Sequence, residues 1–143
     1  MSKPLVTFAD PESAQIDYLT TAYAGRPEPY KPATITTAFP TAALAGNATH
    51  VQVELELGNA DDYPITERAQ VRFTCYAAPG KRTNVKALAS LTQALVYSQP
   101  GDDSVAGAFI RIGRSDVVTD PATKNLMVWF MAQINLKATL LAS

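Results

Sequence analysis

The segment Ile65–Gln99 constrains the fold more than any other part of the chain, because it predicts a strand that leads directly into an amphipathic helix. Val71, Phe73 and Cys75 alternate with polar side chains, which is the period-two pattern of a strand with one buried face. The Ala77–Gly80 turn then ends the strand, since proline cannot donate to a ladder and glycine tolerates unusual dihedral angles.

The helix predicted after this turn has one apolar side. Thr83 or Asn84 offers an oxygen that would cap its first turn. The apolar positions recur at helical spacing, at Val85, Leu88, Ala89, Leu95 and Val96. A strand and a helix that each bury one side predict a two-layer unit, which the rest of the chain extends or covers.

Composition limits the range of folds and functions. The chain has 143 residues, 47% of them hydrophobic, which predicts a single domain over residues 1–143. The formal net charge is −1, so there is no overall positive field to attract nucleic acid. The single cysteine excludes a disulfide framework. We find no apolar segment of membrane-spanning length and no signal-peptide core, and therefore expect a soluble protein made in the cytoplasm.

The remaining predicted elements complete an α+β fold. A first helix begins after Asp10 and Pro11, where aspartate caps a helix and proline suits the first turn. Alternating or β-branched residues predict further strands over 33–39, 49–57, 105–112 and 126–136. The prediction is a mostly antiparallel sheet of about five strands, with two helices packed on one face.

The 49–57 strand has the clearest alternation, and one of its faces is predicted to be apolar. That face comprises Val51, Val53, Leu55 and Leu57.

The opposite face of the same strand is charged. Antiparallel pairing with the next strand places Glu54 and Glu56 near Arg68 and Arg72, where cross-strand ion pairs are modest stabilisers.

The last predicted strand has a second face that is too apolar for solvent. Met127, Trp129 and Met131 lie on this face. We expect either a partner chain or a helix of the same protein, such as the first helix, to cover these three side chains.

No arrangement of residues predicts catalysis. The only histidine, His50, lies at the start of a strand and is expected to be a surface or strand-end residue, not a general base. The adjacent acids Asp61-Asp62 and Asp102-Asp103 are expected to be solvated turn residues and not ligands of a divalent cation. We therefore expect no enzyme activity, no cofactor and no metal.

A small basic cluster lies where the second helix begins. It comprises Lys81, Arg82 and Lys86. Three charges are a weak signal, but they are suited to contact with a phosphate or with a neighbouring acidic loop.

The order of the predicted elements resembles that of the tail terminator (minor tail) proteins of long-tailed bacteriophages. The resemblance covers nearly the whole chain. It begins with the helix Asp10–Ala24 and continues with the segment Ala33–Pro40 before the strand Val51–Leu57. The strand Arg68–Tyr76 then leads into the helix Asn84–Tyr97, and the chain closes with the pair Val105–Val118 and Leu126–Lys137 around the turn Asp120–Asn125. The proline-rich run Arg26–Pro32 and the threonine- and alanine-rich segment that ends at Asn47 depart from that pattern.

The resemblance implies a structural virion protein that assembles into a homohexameric ring. Such a ring ends polymerisation of the tail tube at its head-proximal end and joins the tube protein to the neck, while genomic DNA passes through the lumen without specific binding. A ring of this kind needs two different contact patches on each subunit. The residues expected to contribute to a subunit interface are Arg68, Arg72, Met127, Trp129, Met131, Asp61 and Asp62.

Two other classes of function are compatible with the same pattern. Another ring-forming virion protein, such as a head-closure or tail tube protein, would have the same α+β fold, and an extended inter-subunit hairpin would favour the tube. An unrelated ligand-binding domain or small enzyme would need a pocket that brings His50 together with several carboxylates.

Overall fold

A six-stranded sheet forms the centre of the fold in the computed structural model, which describes residues 3–60 and 63–141. The elements in chain order are β1 (Val6–Thr7), α1 (Pro11–Ala24), β2 (Thr34–Thr36), β3 (Thr49–Asn59), β4 (Thr66–Ala77), α2 (Arg82–Tyr97), β5 (Val105–Ile112), β6 (Val118–Thr119), β7 (Leu126–Lys137) and β8 (Thr139–Leu140).

The α+β class and the mostly antiparallel sheet are confirmed, but the strand count is not. The strand order is β2-β3-β4-β7-β5, with β6 also paired to β7, and within the described residues only the β2–β3 pair is parallel. The main sheet thus has six strands instead of the expected five, and β1 and β8 form a separate two-stranded sheet. Two-residue strands such as β6 show no alternation, so only their pairing with a distant segment identifies them.

The strand–turn–helix unit forms as predicted, apart from the cap of the helix. Strand β4 is paired on both sides, with β3 and with β7. Gly80 adopts φ = 78° and redirects the chain, so α2 begins at Arg82. The expected cap at Thr83 or Asn84 is therefore wrong, because the chain is already helical there; Lys81 is the N-cap and makes no side-chain hydrogen bond to the helix.

Helix α1 begins as its sequence predicts. The Asp10 carboxylate accepts hydrogen bonds from the backbone N–H groups of Glu12 and Ser13, each at 3.3 Å. Pro11 occupies the first helical position. Among the described residues, no helix is long and apolar enough to cross a membrane.

One buried cluster joins both helices to the sheet. At its centre, the rings of Phe73 and Phe130 stack with centroids 5.1 Å apart. Helix α1 contributes Leu19 and Tyr23, and α2 contributes residues that include Leu88. Strands β3, β4 and β7 contribute Val51, Val53, Val71, Cys75, Val128, Ala132 and Ile134.

A β-bulge in β3 changes the side of the sheet that the side chains near the end of this strand face. The register shifts between Leu55, which pairs with Val71, and Leu57, which pairs with Gln70. Leu57 consequently faces the same side as Gln70 and is 64% exposed. The prediction that Leu57 shares a face with Val51 and Val53 is therefore wrong, since an extra residue reverses the alternation beyond it.

Candidate subunit interface

The face of the sheet opposite Phe73 and Phe130 carries most of the residues expected at an interface. Three rows of paired residues run across β3, β4 and β7, and we call them the open sheet face: His50–Tyr76–Met127, Gln52–Thr74–Trp129 and Glu54–Arg72–Met131. Met127, Trp129 and Met131 are only partly buried. The register of three strands therefore places the predicted apolar side chains beside Arg72.

Arg72 lies at the centre of this face between an aromatic ring and a carboxylate. Its guanidinium carbon is 4.6 Å from the centroid of the Trp129 ring, a cation–π contact worth about 0.5–1 kcal/mol at an exposed site. Its Nε lies 3.0 Å from Glu56 Oε1, in an ion pair whose N–H is not aligned as a hydrogen bond. The predicted pairing of Glu56 with Arg72 is therefore present, and it holds Arg72 over the indole.

A shallow groove of about 270 Å³ crosses the open sheet face. At one end of it, the Tyr76 hydroxyl donates to Gln52 Oε1 at 2.8 Å, and Gln52 Nε2 donates to the Thr37 carbonyl at 3.2 Å. Burial raises the pKa of the Tyr76 phenol to about 12, so it remains a neutral donor near neutral pH. The groove thus combines the apolar Met127 and Trp129 with polar groups that already have partners inside the subunit.

The threonine- and alanine-rich segment before β3 forms the rim of this face. The fully buried Asn125, immediately before β7, holds this segment, because its Oδ1 accepts from the Leu44 N–H at 2.8 Å and its Nδ2 donates to the Ala42 carbonyl at 3.1 Å. Sequence reasoning missed Asn125; its only signal was an amide immediately before an apolar strand. The segment is therefore attached to the sheet at a defined place.

His50 holds the same rim and is not placed to act as a base. It is the second residue of β3, so the expected strand-end position is confirmed, and it is buried, with 7% of its surface exposed. The Thr34 hydroxyl contacts Nδ1 at 2.5 Å, and Nε2 lies 2.7 Å from the Ala38 carbonyl. Hydrogen bonding to that carbonyl assigns the proton to Nε2 and leaves Nδ1 to accept from Thr34. Both nitrogens are occupied by structural contacts.

The other predicted interface residues lie away from this centre or outside the description. Arg68 pairs in register with Asn59 and Asn135, towards the far end of the same face. Asp61 and Asp62 lie outside the described residues.

Helix α1, the alternative cover for Met127, Trp129 and Met131, packs elsewhere. It contacts β2, β3, β4 and α2, and its buried Leu19 and Tyr23 belong to the core. The Tyr23 hydroxyl is hydrogen bonded to Thr92, whose hydroxyl is also 3.7 Å from Cys75 Sγ. These contacts join α1 to α2 and to Cys75 of β4, a residue of the buried cluster.

The described residues contain no grouping of three or more His, Cys, Asp or Glu side chains that would hold a metal ion. Asp102, one of the paired acids, has its Oδ1 2.7 Å from the N–H groups of both Ser104 and Val105, so it serves as a turn cap.

Comparison with models of protein families gives no match to this chain, and comparison with curated proteins gives none either.

Proposed function

We propose that this protein is a structural component of a bacteriophage virion. In this proposal six copies form a ring at the head-proximal end of the tail tube, where the ring ends tube polymerisation and joins the tail to the neck connector. The order of elements in the sequence supports it, and the α+β fold described above is compatible with it. In the proposed tail-terminator-like fold, both helices cover one face of the sheet and leave the other face for a neighbouring subunit.

The observation that carries the proposal is the open sheet face. It presents a tryptophan, two methionines and an arginine together at the middle of a sheet, with their side chains half-buried in the single subunit. Tryptophan, methionine and arginine are enriched in protein–protein interfaces, and tryptophan and arginine dominate their binding energy. Burial of Trp129 and Met131 against a neighbour would remove further apolar area from water.

A tail tube protein is the second candidate, and one observation favours it. Leu57, Tyr63 and Ile65, near the end of the β3–β4 hairpin, are between 55% and 77% exposed. An extended hairpin that reaches a neighbouring subunit would bury such residues. However, β4 is paired with β7 along its whole length, from Thr66 to Ala77, so this strand itself does not extend beyond the sheet, and this supports the terminator over the tube.

Negative-stain imaging of the purified protein at high concentration, together with native mass spectrometry, tests the ring. We expect six-fold rings with a central hole, and the variant Trp129→Ala should lower the assembled fraction. Ile65→Ala tests the hairpin, and Leu140→Ala is a control at a residue that is 71% exposed on β8. A thermal melt of each variant separates loss of assembly from loss of folding.

The outcomes separate the candidates. Loss of rings in Trp129→Ala alone supports the open sheet face as an interface. Loss in Ile65→Ala alone would favour a tube-type hairpin contact. A wild-type protein that stays monomeric at every concentration would count against self-assembly in isolation. Deletion of the gene from the phage that carries it should then give over-long tails, and tails of normal length would contradict a terminator.

A further inference from the structure

A basic pocket lies beside the first half of α2, on a different part of the molecule from the open sheet face. Its volume is about 360 Å³, and it is lined by Lys86, Arg114, Ser115, Asp116, Val117 and Val128. Its floor includes the apolar Val128, which is 2% exposed, whereas Lys86 and Arg114 are exposed at its rim. A ligand with an apolar body and a negative charge would match both features.

An interruption in the edge of the main sheet creates this pocket. Strands β5 and β6 both pair with β7, and residues 113–117 between them leave the ladder. Ser115 keeps this segment attached, because its N–H donates to the Trp129 carbonyl at 2.8 Å and its Oγ accepts from the Trp129 N–H at 3.0 Å. The segment therefore lies against β7, and its Arg114 lines the same pocket as Lys86 of α2.

The charges around the pocket have the opposite sign to those that stabilise the start of a helix. The start of an α-helix carries a partial positive charge and is stabilised by acidic residues. The first turn of α2 has no acidic residue. Lys81 is its N-cap, Arg82 is its first residue, and Lys86 lies in the turn that follows. Asp116 offsets part of this charge, at 3.6 Å from Arg82, but Lys86 and Arg114 remain as excess cations. A local conflict of this kind is expected where a surface has a binding role.

The other end of α2 has the opposite character. The last turn of the helix contains no basic residue, and the turn that follows contains Asp102 and Asp103. Asp102 caps its own turn, whereas Asp103 is exposed. Tyr97, the last residue of the helix, is 63% exposed. An aromatic side chain and a carboxylate at one end thus complement the apolar floor and basic rim at the other.

The two ends of α2 are too far apart for the basic pocket of one copy to contact the Tyr97–Asp103 end of the same copy. The helix has 16 residues, which corresponds to about 24 Å along its axis at 1.5 Å per residue. A second copy of the chain, placed head to tail, would bring the Asp103 end of its α2 to the basic pocket of the first. Such a contact joins two different patches, which is the requirement for a closed ring.

We propose that the basic pocket of each copy receives the Tyr97–Asp103 end of α2 from the next copy. This inference rests on the proposed function, because the contact is one of the heterologous contacts between neighbouring subunits that the proposed ring needs. Because the contact depends on complementary charges, it weakens with added salt, and charge reversal on one side alone disrupts it.

Charge exchange tests the contact directly. One variant reverses the pocket (Lys86→Glu with Arg114→Glu), a second reverses the turn (Asp103→Lys), and a third combines all three changes. All three residues are exposed, so the fold should tolerate each change. Lys3→Glu with Lys31→Glu, at two exposed lysines outside both contact patches, matches the first variant in net charge, and Asp17→Lys on α1 matches the second. Sedimentation equilibrium and native mass spectrometry, between about 50 and 500 mM salt, measure the assembled fraction.

We expect either reversal alone to weaken association by about tenfold or more at low salt, and the combined variant to recover most of it. The two controls should associate like the wild type. The inference is overturned if the single reversals have no effect, if the combined variant does not recover, or if the controls lose association equally. It is also overturned if the pocket reversal abolishes binding of a DNA duplex while assembly continues, since the pocket would then bind phosphate.

Failure of this inference can be told apart from failure of the proposed function. Rings that persist through the charge reversals, but not through Trp129→Ala, would reject the head-to-tail contact and retain the ring. Charge-dependent open chains without closed rings would retain the contact and reject the hexameric ring. A wild-type protein that is monomeric under all these conditions would reject the contact.

Discussion

Cys75 is a thiol whose chemistry is decided by its position within β4. It is completely buried, and its thiol donates a hydrogen bond to the Thr92 hydroxyl at 3.7 Å. Burial disfavours the charged thiolate and raises the pKa of the Cys75 thiol from 9.0 to about 12, despite the opposing effect of Thr92. A neutral thiol in a closed core is a poor nucleophile, so this residue acts as a small apolar side chain.

The raised pKa predicts how stability responds to alkaline pH. The folded state favours the neutral thiol, so this contribution is fully present below pH 9 and is lost as pH rises through about 12. We expect the free energy of unfolding to fall over this range, and to fall less in Cys75→Ala. Urea unfolding at several pH values measures both slopes. Identical slopes in the two proteins would show that the thiol does not contribute.

Asn125 is a second residue whose role depends on burial. Asn125→Ala leaves the Leu44 N–H and the Ala42 carbonyl without their side-chain partners. We expect a loss of about 1–3 kcal/mol in the free energy of unfolding, together with faster hydrogen exchange at Leu44. Asn47→Ala is a suitable control, because the Asn47 side chain is exposed and contacts only the side chain of Asn84 in the described hydrogen bonds. Equal effects of the two variants would contradict the role given to Asn125.

At the scale of elements, the turn between β4 and α2 determines how the central unit is built. Gly80 has φ = 78°, a left-handed conformation that costs other residues conformational energy. This conformation lets the helix begin at Arg82, directly after a strand that is paired on both sides.

Substitution of Gly80 should therefore destabilise the protein by backbone strain alone. A Cβ atom at Gly80 would meet no neighbour within 4 Å, so steric overlap does not contribute. We expect Gly80→Ala to lower the free energy of unfolding by about 1 kcal/mol or more. Gly113→Ala is a matched control, since its added Cβ also meets no neighbour and its φ lies outside the left-handed region. A comparison of the urea midpoints of the two variants measures this strain, and equal midpoints would contradict it.

At the scale of the whole molecule, the net charge is small, but the charges of opposite sign lie on separate parts of the surface. The net charge is −1, yet the basic pocket and the Asp102–Asp103 turn separate opposite charges along α2. A near-neutral chain suits a lumen through which DNA slides, because strong non-specific binding requires many phosphate contacts.

Weak binding to DNA is therefore the expected property of the purified protein. At physiological salt, we expect the dissociation constant for a random duplex to be weaker than about 10⁻⁴ M, beyond the usual non-specific range. Fluorescence anisotropy with a labelled duplex measures it. Binding at micromolar concentration would contradict passage of DNA without adhesion, and would direct attention to Lys86 and Arg114 as phosphate contacts.

The features of this protein that depend on neighbouring residues could be predicted from the sequence. The alternation in β4 and β7, the cap at Asp10 and the turn at Gly80 each follow from local backbone and side-chain preferences. For the candidate interface, alternation placed Met127, Trp129 and Met131 on one face, and strand pairing was enough to place Glu56 near Arg72.

The features that join residues distant in the sequence became visible in the folded structure. The bulge that moves Leu57 to the other face, the short strand β6 and the anchoring of residues 42–44 by Asn125 all depend on partners far along the chain. The basic pocket depends on an interrupted sheet edge beside α2, which brings Arg114 to Lys86. Such contacts form because the packed sheet fixes which segments meet, and no local pattern encodes that choice.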